Sequence, residues 1–522
     1  MNEQTVVALK GRIDSGNAAD VEQSILAQLA GTDSAAPVAL DAQDLEYTSS
    51  AGLRVILRLK KSYPELKIIN VNSEVYEILD MTGFTEMMPV EKAYRVVSTE
   101  GCEEIGRGAN GTIYRIDKDN VVKVYNNADA LEDIQHERQV AKLALILGIP
   151  TAISYDVVRV GESYGSVFEL LKASSFSKIL AAEPEKMDWC VKEYIDLLKK
   201  IHGTVVPEGK LPDMKETVVG WAEFLRDHLP EEYMDKLLTM IKAIPHTDHM
   251  MHGDYHTKNV MLQGDEVLLI DMDTLSVGDP IFDLAFMYNA FIGFSEQDHT
   301  IIKEFQGFDH ETAEKFWHKS LAAYLGTNCP TKIKEVEDKA RIVGYTRLVR
   351  HAIRRGGNDP EKARQTVAYR KEKLMELLDR TDTLIFSPNE LEIEAADENL
   401  EEVLAFIEEK LEAFGCPPKK LMQIRLASEE IFVNIAHYAY APDKGKAKVR
   451  VEVTEDPVTV SITFIDKGVP YDPLAKEDPN IHLDADERQI GGLGIFLVKQ
   501  TMDDVNYEYK DGQNILTLKK SL

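Results

Sequence analysis

A short polar segment in the middle of the chain contains residues that could carry out phosphoryl transfer. It reads HGDYHTKN, with Asp254 five residues before Asn259, and Asp271 follows the apolar stretch 267–270. Phosphoryl transfer needs a carboxylate beside the attacking hydroxyl, together with an amide oxygen and a second carboxylate that hold Mg²⁺ against the phosphates. The spacing therefore favours Asp254 as the catalytic carboxylate and Asn259 and Asp271 as magnesium ligands.

A glycine-rich turn upstream of this segment suits phosphate binding. Gly106, Gly108 and Gly111 lie between apolar stretches, and Lys123 follows on the next expected strand. Glycines let a hairpin backbone approach phosphate oxygens closely, and a strand lysine can reach the α and β phosphates. The helical stretch after it supplies Glu137 as a partner that would hold Lys123 in place. Because ordinary turns also contain such glycines, a purely structural role is the alternative.

A second set of polar residues lies near the C-terminus, in the apolar-patterned stretch 421–440. Glu430 and Asn434 stand four residues apart there, which places them on one face of the expected helix. A carboxylate and an amide on the same face could together hold an activating water and a magnesium ion. Glu430 is thus a candidate catalytic residue, and Asn434 is a candidate magnesium ligand.

Nucleotide-binding residues are expected downstream of this helix. Asp466 and Gly468 follow the strand 458–465, and a glycine pair with Gly492 and Gly494 precedes a further helical stretch. An aspartate at a strand end can accept a hydrogen bond from the adenine amino group, and glycines before a helix expose backbone amides to phosphate. The order of these pieces favours a second ATP site.

The elements that position these residues fall into three segments. Residues 1–97 alternate short apolar runs with helical stretches near 17–30, 51–62 and 73–81, which indicates a small α/β domain. Residues 98–378 show strand pairs around glycine-rich turns and then long helices, which suits one two-lobed domain. A connector containing Pro388 leads into a third domain, assigned to residues 388–522. The expected fold class is multidomain α/β and α+β.

The middle segment resembles the protein-kinase-like fold, specifically the branch of aminoglycoside phosphotransferases and choline kinases. That branch has an HGDxxxxN segment, an ID-x-[DE] segment and then GDPxxDLA, which residues 278–285 match. The resemblance implies a bilobal fold and ATP-dependent transfer to a hydroxyl, without identifying that hydroxyl. Asp283, within the last motif, is expected to cap a helix or to pair inside the C-terminal lobe and not to react.

The C-terminal segment resembles the GHKL ATPases, most closely the anti-sigma factor serine kinases. Their asparagine box matches residues 430–437, and their DxGxP and GGxG boxes match residues 466–470 and 491–494. The resemblance implies an α/β sandwich in which Glu430 is the general base, Asn434 the magnesium ligand and Asp466 the adenine contact. Residues 471–490 would form the ATP lid, and a homodimer through this domain is left open.

The N-terminal segment resembles STAS domains, the anti-sigma factor antagonists. Their modified serine lies in a D-S-[ST]-G-L motif, and aligning Gly52 and Leu53 with it puts Ser50 at the phosphorylated position. Ser49 stands where those proteins carry aspartate. A serine at a helix start normally caps the helix, so capping is the alternative role for Ser49 or Ser50.

Composition limits the partners of the protein. Its 522 residues are 44% hydrophobic and 29% charged, and 60 basic against 89 acidic residues give a formal charge of −29. Such a surface repels nucleic acids and anionic lipid, so neither nucleic acid nor membrane is expected as a partner. No signal peptide or apolar span is evident, which favours the cytoplasm. The four cysteines show no metal-binding spacing, and we expect them to be reduced.

These observations together favour a bacterial-type partner-switching protein with two ATP sites that use ATP and Mg²⁺. The C-terminal domain would phosphorylate Ser50 or the serine of a separate STAS antagonist, and the middle domain would phosphorylate another hydroxyl. The expected protein partners are a STAS-type protein and an anti-sigma or sigma factor. Two alternatives are a nucleotide-sensing scaffold and a small-molecule kinase with regulatory ends.

Overall fold

The computed structural model describes residues 4–108, 110–128, 130–356, 360–412, 414–475 and 493–522. The chain divides into two compact units, which are described separately. The first contains the chain up to Gln139 together with Ala152–Leu171, and the second contains Val140–Thr151 together with Lys172–Leu522. None of the helices in the described ranges is both long enough and apolar enough to cross a bilayer.

The first unit begins with a four-stranded parallel sheet in the order β1-β2-β3-β4. Val38, Ala39 and Leu40 of β2 are all buried, as expected for a central parallel strand covered on both faces. The helices 17–30, 51–62 and 73–81 expected from the sequence correspond to α1, α2 and α3. The elements are β1 (Thr5–Ile13), α1 (Ala18–Gln28), β2 (Val38–Thr48), α2 (Ser50–Ser62), β3 (Lys67–Val71), α3 (Ser73–Met81), α4 (Phe84–Met87) and β4 (Val90–Lys92).

A second, six-stranded sheet follows in the same unit, in the order β5-β9-β10-β8-β7-β6. Its β6–β7–β8–β10–β9 part is antiparallel throughout, whereas β5 pairs with β9 in parallel. Strand β5 begins three residues after the end of β4. The segment that links the first sheet to the second therefore supplies an edge strand of the second sheet. The elements are β5 (Arg95–Val96), β6 (Glu103–Arg107), β7 (Gly111–Arg115), β8 (Asn120–Tyr125), α5 (Leu131–Ile146), β9 (Asp156–Val160) and β10 (Ser163–Glu169), and the part of α5 after Gln139 is assigned to the second unit.

The second unit begins with a helical lobe whose core is built largely from long amphipathic helices. Tyr194 packs edge-on against Phe316 with ring centroids 5.1 Å apart, and Phe291 and Trp317 are also fully buried. The elements are β11 (Ser174–Ser175), α6 (Phe176–Ala182), α7 (Met187–His202), α8 (Met214–Phe224), α9 (Glu231–Ala243), β12 (Met250–Met251), β13 (Val260–Gln263), β14 (Glu266–Leu269), β15 (Ser276–Val277), α10 (Ile281–Tyr288) with a π-helical turn Asn289–Gly293, α11 (Thr300–Gln306), α12 (His310–Leu325), α13 (Pro330–Arg355) and α14 (Pro360–Arg380).

The C-terminal part of the second unit is a two-layer α/β sandwich. Its antiparallel sheet has the order β16-β17-β18-β20-β19. Alternate strand residues such as Val449, Ile462 and Leu518 are buried against Phe406 and Phe432 of the helices, so one sheet face forms the core. The elements are β16 (Glu390–Glu394), α15 (Leu400–Glu412), α16 (Pro418–Asn434) with a π-helical turn Ile435–Ala439, β17 (Lys446–Glu455), β18 (Val458–Asp466), α17 (Leu493–Thr501), β19 (Asp504–Lys510) and β20 (Gln513–Ser521).

Candidate active sites

The glycine-rich turn joins β6 and β7 in the first unit. Gly106 is in β6, Gly108 is in the turn and Gly111 begins β7, and the Gly108 amide donates to the Gly111 carbonyl at 2.9 Å. Chain neighbours aside, a β-carbon added at Gly106 or Gly108 would lie no closer than 3.8 Å to any atom of the described residues. Packing against the described residues therefore does not require glycine at these two positions, and the backbone there is open to close approach by a ligand.

The lysine on β8 is held by a carboxylate on α5. Lys123 Nζ lies 3.0 Å from Glu137 Oε1 and 3.1 Å from Oε2, and both side chains are largely buried. Tyr125 donates to the same carboxylate at 2.6 Å. Burial and the adjacent Glu137 charge raise the pKa of Tyr125, so it stays protonated and serves as a donor. The lysine ammonium is thus fixed in one direction.

In the second unit, a buried carboxylate organises the loop between β12 and β13. Asp283 accepts hydrogen bonds from the backbone amides of His252 (2.9 Å) and Gly253 (2.8 Å). The ring of His202 lies 3.0 Å from the same carboxylate and 2.8 Å from the Tyr324 hydroxyl. Burial raises the pKa of Asp283, but the hydrogen bond and charge of His202 outweigh it and hold the pKa below its usual value.

The loop conformation brings Asp254 to the surface. Gly253 has a φ of +79°, and a β-carbon there would lie 2.5 Å from the Thr274 carbonyl oxygen, so only glycine fits. The Asp254 side chain is 41% exposed and lies 3.4 Å from His256 Nε2. Partial burial raises the pKa of Asp254, but His256, Arg347 and His252 outweigh this effect and lower it. Asp254 is therefore an ionised carboxylate that a hydroxyl group can reach.

The two expected magnesium ligands of this lobe lie on segments that are joined by a backbone hydrogen bond. Asn259 donates from Nδ2 to the Asp254 carbonyl at 3.1 Å, which fixes the orientation of its amide. The Asn259 backbone carbonyl accepts a hydrogen bond from the Ile270 amide at 3.0 Å. Asp271 is the next residue in the chain after Ile270. Asp271 has a φ of +65°, an uncommon conformation for a residue with a side chain. An amide oxygen and a carboxylate are a donor set that Mg²⁺ favours.

In the C-terminal sandwich, the last turn of α16 carries the candidate base. Asn434 donates from Nδ2 to Glu430 Oε1 at 2.8 Å, so the two side chains expected on one helix face do meet. The start of α17 runs against this carboxylate, and a β-carbon on Gly494 would overlap Glu430 Oε1. The structure therefore brings Gly494 together with Glu430 and Asn434. Gly492 and residues 476–490 of the expected lid lie outside the described residues.

At the end of β18, Asp466 is 6% exposed and held in a network of hydrogen bonds. Its Oδ1 accepts from the Gly468 amide at 2.9 Å and from Asn514 Nδ2 at 2.8 Å. Asn514 in turn accepts from the Tyr507 hydroxyl at 2.7 Å. No described residue donates to Asp466 Oδ2, so this oxygen can accept a hydrogen bond from a ligand.

Two serines at the start of α2 have different environments. Ser49 is half-buried and caps the helix, since its Oγ accepts from the Ala51 amide at 3.2 Å. Ser50 is the first helical residue, and its side chain is exposed. The alternative role as a cap therefore applies to Ser49 and not to Ser50.

Sequence reasoning missed two groups in the second unit. His202 orients Asp283 from the C-terminus of α7, and no local motif marks it. Arg347, which belongs to α13, helps to lower the pKa of Asp254 through its positive charge. Arginines recur along α13 at positions 347, 350 and 354. That recurrence, on one helix face of a strongly acidic chain, was a signal that could have been recognised.

Three family models match the chain in succession. The STAS domain model matches residues 2–98, the model of the phosphotransferase enzyme family (APH) matches residues 101–317, and the histidine kinase-like ATPase domain model matches residues 393–520. The order is the one expected from the motifs. The three resemblances and the multidomain α/β and α+β fold class are therefore confirmed.

Curated relatives match parts of the chain. The putative anti-sigma factor antagonist BtrV of Bordetella bronchiseptica is 34% identical over 89 residues, covering 16% of this chain and 75% of the relative. The serine/threonine-protein kinase BtrW of the same organism is 30% identical over 95 residues, covering 18% and 66%. The serine-protein kinase RsbW of Listeria monocytogenes is 29% identical over 110 residues, covering 20% and 69%.

Solved structures of phosphotransferases also resemble the chain. An ADP-bound aminoglycoside phosphotransferase gives a TM-score of 0.38 at 15% identity, covering 59% of this chain and 99% of that one. A choline/ethanolamine kinase family protein from Mesorhizobium loti gives a TM-score of 0.36 at 15% identity, covering 53% and 88%.

The family matches and the kinases among the relatives define a multidomain ATP-dependent kinase. The chain belongs, through its N-terminal domain, to the STAS family of anti-sigma factor antagonists, and it joins to that domain a phosphotransferase domain and a histidine kinase-like ATPase domain. Its activity is ATP-dependent phosphotransfer in signalling.

Proposed function

We propose that the C-terminal ATPase domain phosphorylates Ser50, or the matching serine of a separate STAS antagonist, and that the middle domain phosphorylates a second hydroxyl. The observation that carries the first part is the exposed hydroxyl of Ser50, since Ser49 already caps the helix. A phosphate on Ser50 would lie at the helix N-terminus, where the exposed amides and the helix dipole stabilise negative charge. The new charge would change the surface that a protein partner contacts.

In the C-terminal domain, Glu430 accepts the proton of the attacking serine hydroxyl. Its bond from Asn434 Nδ2 keeps the carboxylate directed along the helix face, while the Asn434 amide oxygen would hold Mg²⁺. Mg²⁺ would neutralise charge on the phosphates of ATP. Asp466 Oδ2 accepts from the adenine amino group, and the amides around Gly494 bind phosphate.

In the middle domain, Asp254 accepts the proton from the acceptor hydroxyl as the new bond to phosphorus forms. Its lowered pKa keeps it ionised at neutral pH, as this role requires. Lys123, oriented by Glu137, binds the phosphates of ATP, and the amides around Gly106, Gly108 and Gly111 bind them from the backbone. Asn259 and Asp271 would hold Mg²⁺.

We also propose a setting for this activity. The antagonist and the kinases among the relatives suggest a STAS-type protein and an anti-sigma or sigma factor as partners, in the cytoplasm where ATP is available. A serine and its kinase on one chain have a high effective concentration, which favours their encounter within one molecule or one homodimer.

The test is phosphosite mapping by mass spectrometry after incubation with Mg-ATP. We expect phosphate on Ser50 in the wild type and in Asp254→Ala, and its loss in Glu430→Ala and Ser50→Ala. Ser49→Ala is the matched control for the serine, because it removes the neighbouring hydroxyl and leaves Ser50. Phosphate lost in Asp254→Ala and kept in Glu430→Ala would assign the reaction to the middle domain instead. A separate STAS protein added to Ser50→Ala detects transfer between molecules.

A further inference from the structure

Three arginines form a positively charged face on α13 near the candidate catalytic carboxylate. Arg347, Arg350 and Arg354 are spaced by three and four residues, so they project from the same side of the helix. We call these three residues the arginine face. The charge of Arg347 helps to lower the pKa of Asp254, Arg350 is partly buried, and Arg354 near the end of the helix is exposed. The positive charge therefore extends from the candidate active site to the exposed end of α13.

Aromatic rings from neighbouring helices support two of these guanidinium groups. The Arg347 Cζ lies 4.8 Å from the ring centroid of Phe286 and 5.6 Å from that of Trp221. The Arg350 Cζ lies 5.9 Å from the Trp221 ring and 5.7 Å from the Phe224 ring. Cation–π contacts hold a guanidinium in a fixed plane while leaving its N–H groups free to donate. The arginine face is therefore ordered in a way that suits hydrogen bonding to a planar or tetrahedral anion.

The arginine face makes no salt bridge in the parts of the chain that the structure describes, and Asp254 is the carboxylate whose charge acts on Arg347. No carboxylate there lies within ion-pair distance of Arg347, Arg350 or Arg354, whereas Arg380 on α14 pairs with Asp338 at 2.8 Å. The effect of the local charge is visible at His351, beside the arginines. Burial and then the charges of Arg355, Arg370, Arg347 and Arg350 lower the pKa of His351 to about 4. In a chain with a formal charge of −29, this concentration of positive charge without a salt bridge among the described residues needs an explanation.

We propose that the arginine face binds a carboxylate or phosphate group of the small hydroxyl compound that the middle domain phosphorylates. This proposal rests on the phosphotransfer proposed above and adds the charge class of its substrate. The acceptor oxygen forms a bond to the γ-phosphorus of ATP, and the bond from that phosphorus to the β–γ bridging oxygen breaks. ADP leaves with the electron pair, and Asp254 receives the hydroxyl proton. An anionic group on the arginine face would hold the hydroxyl beside Asp254, whereas a cationic acceptor would be repelled.

Trp221 provides a direct measure of binding, because it contacts both Arg347 and Arg350. Tryptophan fluorescence of the full chain is titrated with glycerate, inorganic phosphate, glycerol and ethanolamine at constant ionic strength. We expect saturable changes with glycerate and phosphate only, and no change in Trp221→Phe. Arg350→Gln with Arg354→Gln should weaken glycerate binding at least tenfold. Arg364→Gln, on α14, is the matched control and should bind as the wild type does.

The outcomes separate this inference from the function on which it rests. The inference would be overturned if ethanolamine bound as tightly as glycerate or more tightly, or if neither anion bound saturably. It would also be overturned if Arg364→Gln weakened glycerate binding as much as the double variant does. ATP turnover in a Glu430→Ala background, with and without Asp254→Asn, tests the middle-domain phosphotransfer on its own. If ATP turnover depends on Asp254 but no anion binds, the proposed phosphotransfer stands and the anionic acceptor is rejected. If the anions bind but Asp254→Asn leaves ATP turnover unchanged, the arginine face is an anion site and the proposed phosphotransfer by the middle domain is wrong.

Discussion

At the scale of single residues, side chains that carry the same chemical group have different roles. Ser49 and Ser50 are neighbours with the same chemical group, yet one caps a helix and the other is exposed. Asp254 and Asp283 are both carboxylates, but Asp283 is fully buried and fixes the loop that presents Asp254. Local environment, more than residue type, thus determines what each group can do.

The two serines give a stability prediction. Ser49→Ala removes the acceptor for the Ala51 amide and should cost about 1 kcal/mol of local helix stability, whereas Ser50→Ala should have little effect. Hydrogen exchange of amides in α2, followed by mass spectrometry, measures the difference. We expect about fivefold faster exchange in Ser49→Ala than in Ser50→Ala. Equal exchange in both variants would show that the Ser49 cap does not stabilise α2.

His351 gives a pH prediction. Burial and the neighbouring arginines lower its pKa from 6.5 to about 4 in the folded protein, so the unfolded chain binds a proton more readily. The stabilisation from neutral His351 is therefore complete above pH 6.5 and is lost as the pH falls towards 4. His351→Gln should lose less unfolding free energy than the wild type between pH 6.5 and 4.

Urea unfolding at several pH values checks this prediction, with His246→Gln as the control. Hydrogen bonding to Asp213 raises the pKa of His246, so its contribution has the opposite sign and is lost as the pH rises. Parallel pH profiles for wild type and His351→Gln would contradict the expected linkage.

At the scale of elements, the packing of α17 on α16 sets the position of Glu430. Gly494→Ala would place a methyl group against the Glu430 carboxylate, which can rotate away because it is the end of a flexible side chain. We therefore expect the fold to persist while Glu430 leaves Asn434, and phosphotransfer by the C-terminal domain to fall roughly tenfold or more. The assay uses an Asp254→Asn background, which removes the middle-domain reaction.

Gly220→Ala in α8 is the control for this substitution. Apart from the chain neighbours and the backbone of the same helix, no described atom lies within 4 Å of the added β-carbon there, and a helical Gly-to-Ala change should raise stability by roughly 0.5–1 kcal/mol. Its phosphotransfer rate should be unchanged. A Gly494→Ala protein that is fully active would show that Glu430 does not need its position beside Asn434.

Many of these elements were predictable from the sequence. Helices 51–62 and 73–81 and the strand 458–465 correspond to described elements because apolar periodicity marks them locally. The Glu430–Asn434 contact followed from four-residue helical spacing. The connections made by His202 and Arg347 could not be found this way, because each depends on packing between helices distant in sequence. The pairing of β5 with β9 had no local signal either.

At the scale of the whole molecule, the C-terminal sandwich is attached to the helical lobe of the second unit through α15. Glu402 accepts from the Thr331 amide at 2.8 Å and from the Cys329 thiol at 3.1 Å. Lys410 donates to the Leu325 carbonyl at 2.6 Å. Burial raises the pKa of Cys329 to about 12, so it remains a neutral donor to Glu402. These bonds join the turn between α12 and α13 to the ATPase domain.

This attachment predicts cooperative unfolding of the helical lobe and the sandwich. Glu402→Ala leaves the Thr331 amide and hydroxyl without their acceptor and should cost about 1.5–3 kcal/mol. Differential scanning calorimetry should then show separate transitions for the helical lobe and the sandwich, which we expect to unfold in one transition in the wild type. Glu412→Ala, an exposed change on the same helix, should leave the wild-type profile. A single transition in Glu402→Ala would contradict the coupling.

The pairing of β5 with β9 determines where a shortened chain that lacks the STAS domain should begin. Val97 donates to the Arg159 carbonyl at 2.9 Å, Arg95 pairs with Asp156 at 3.1 Å, and Tyr94 packs on Tyr164. A shortened chain that starts at residue 98 exposes the backbone edge of β9, and such edges recruit strands from other molecules. A fragment for isolating the phosphotransferase should therefore begin before Tyr94, and removal of the STAS domain at its family boundary would produce an aggregation-prone protein.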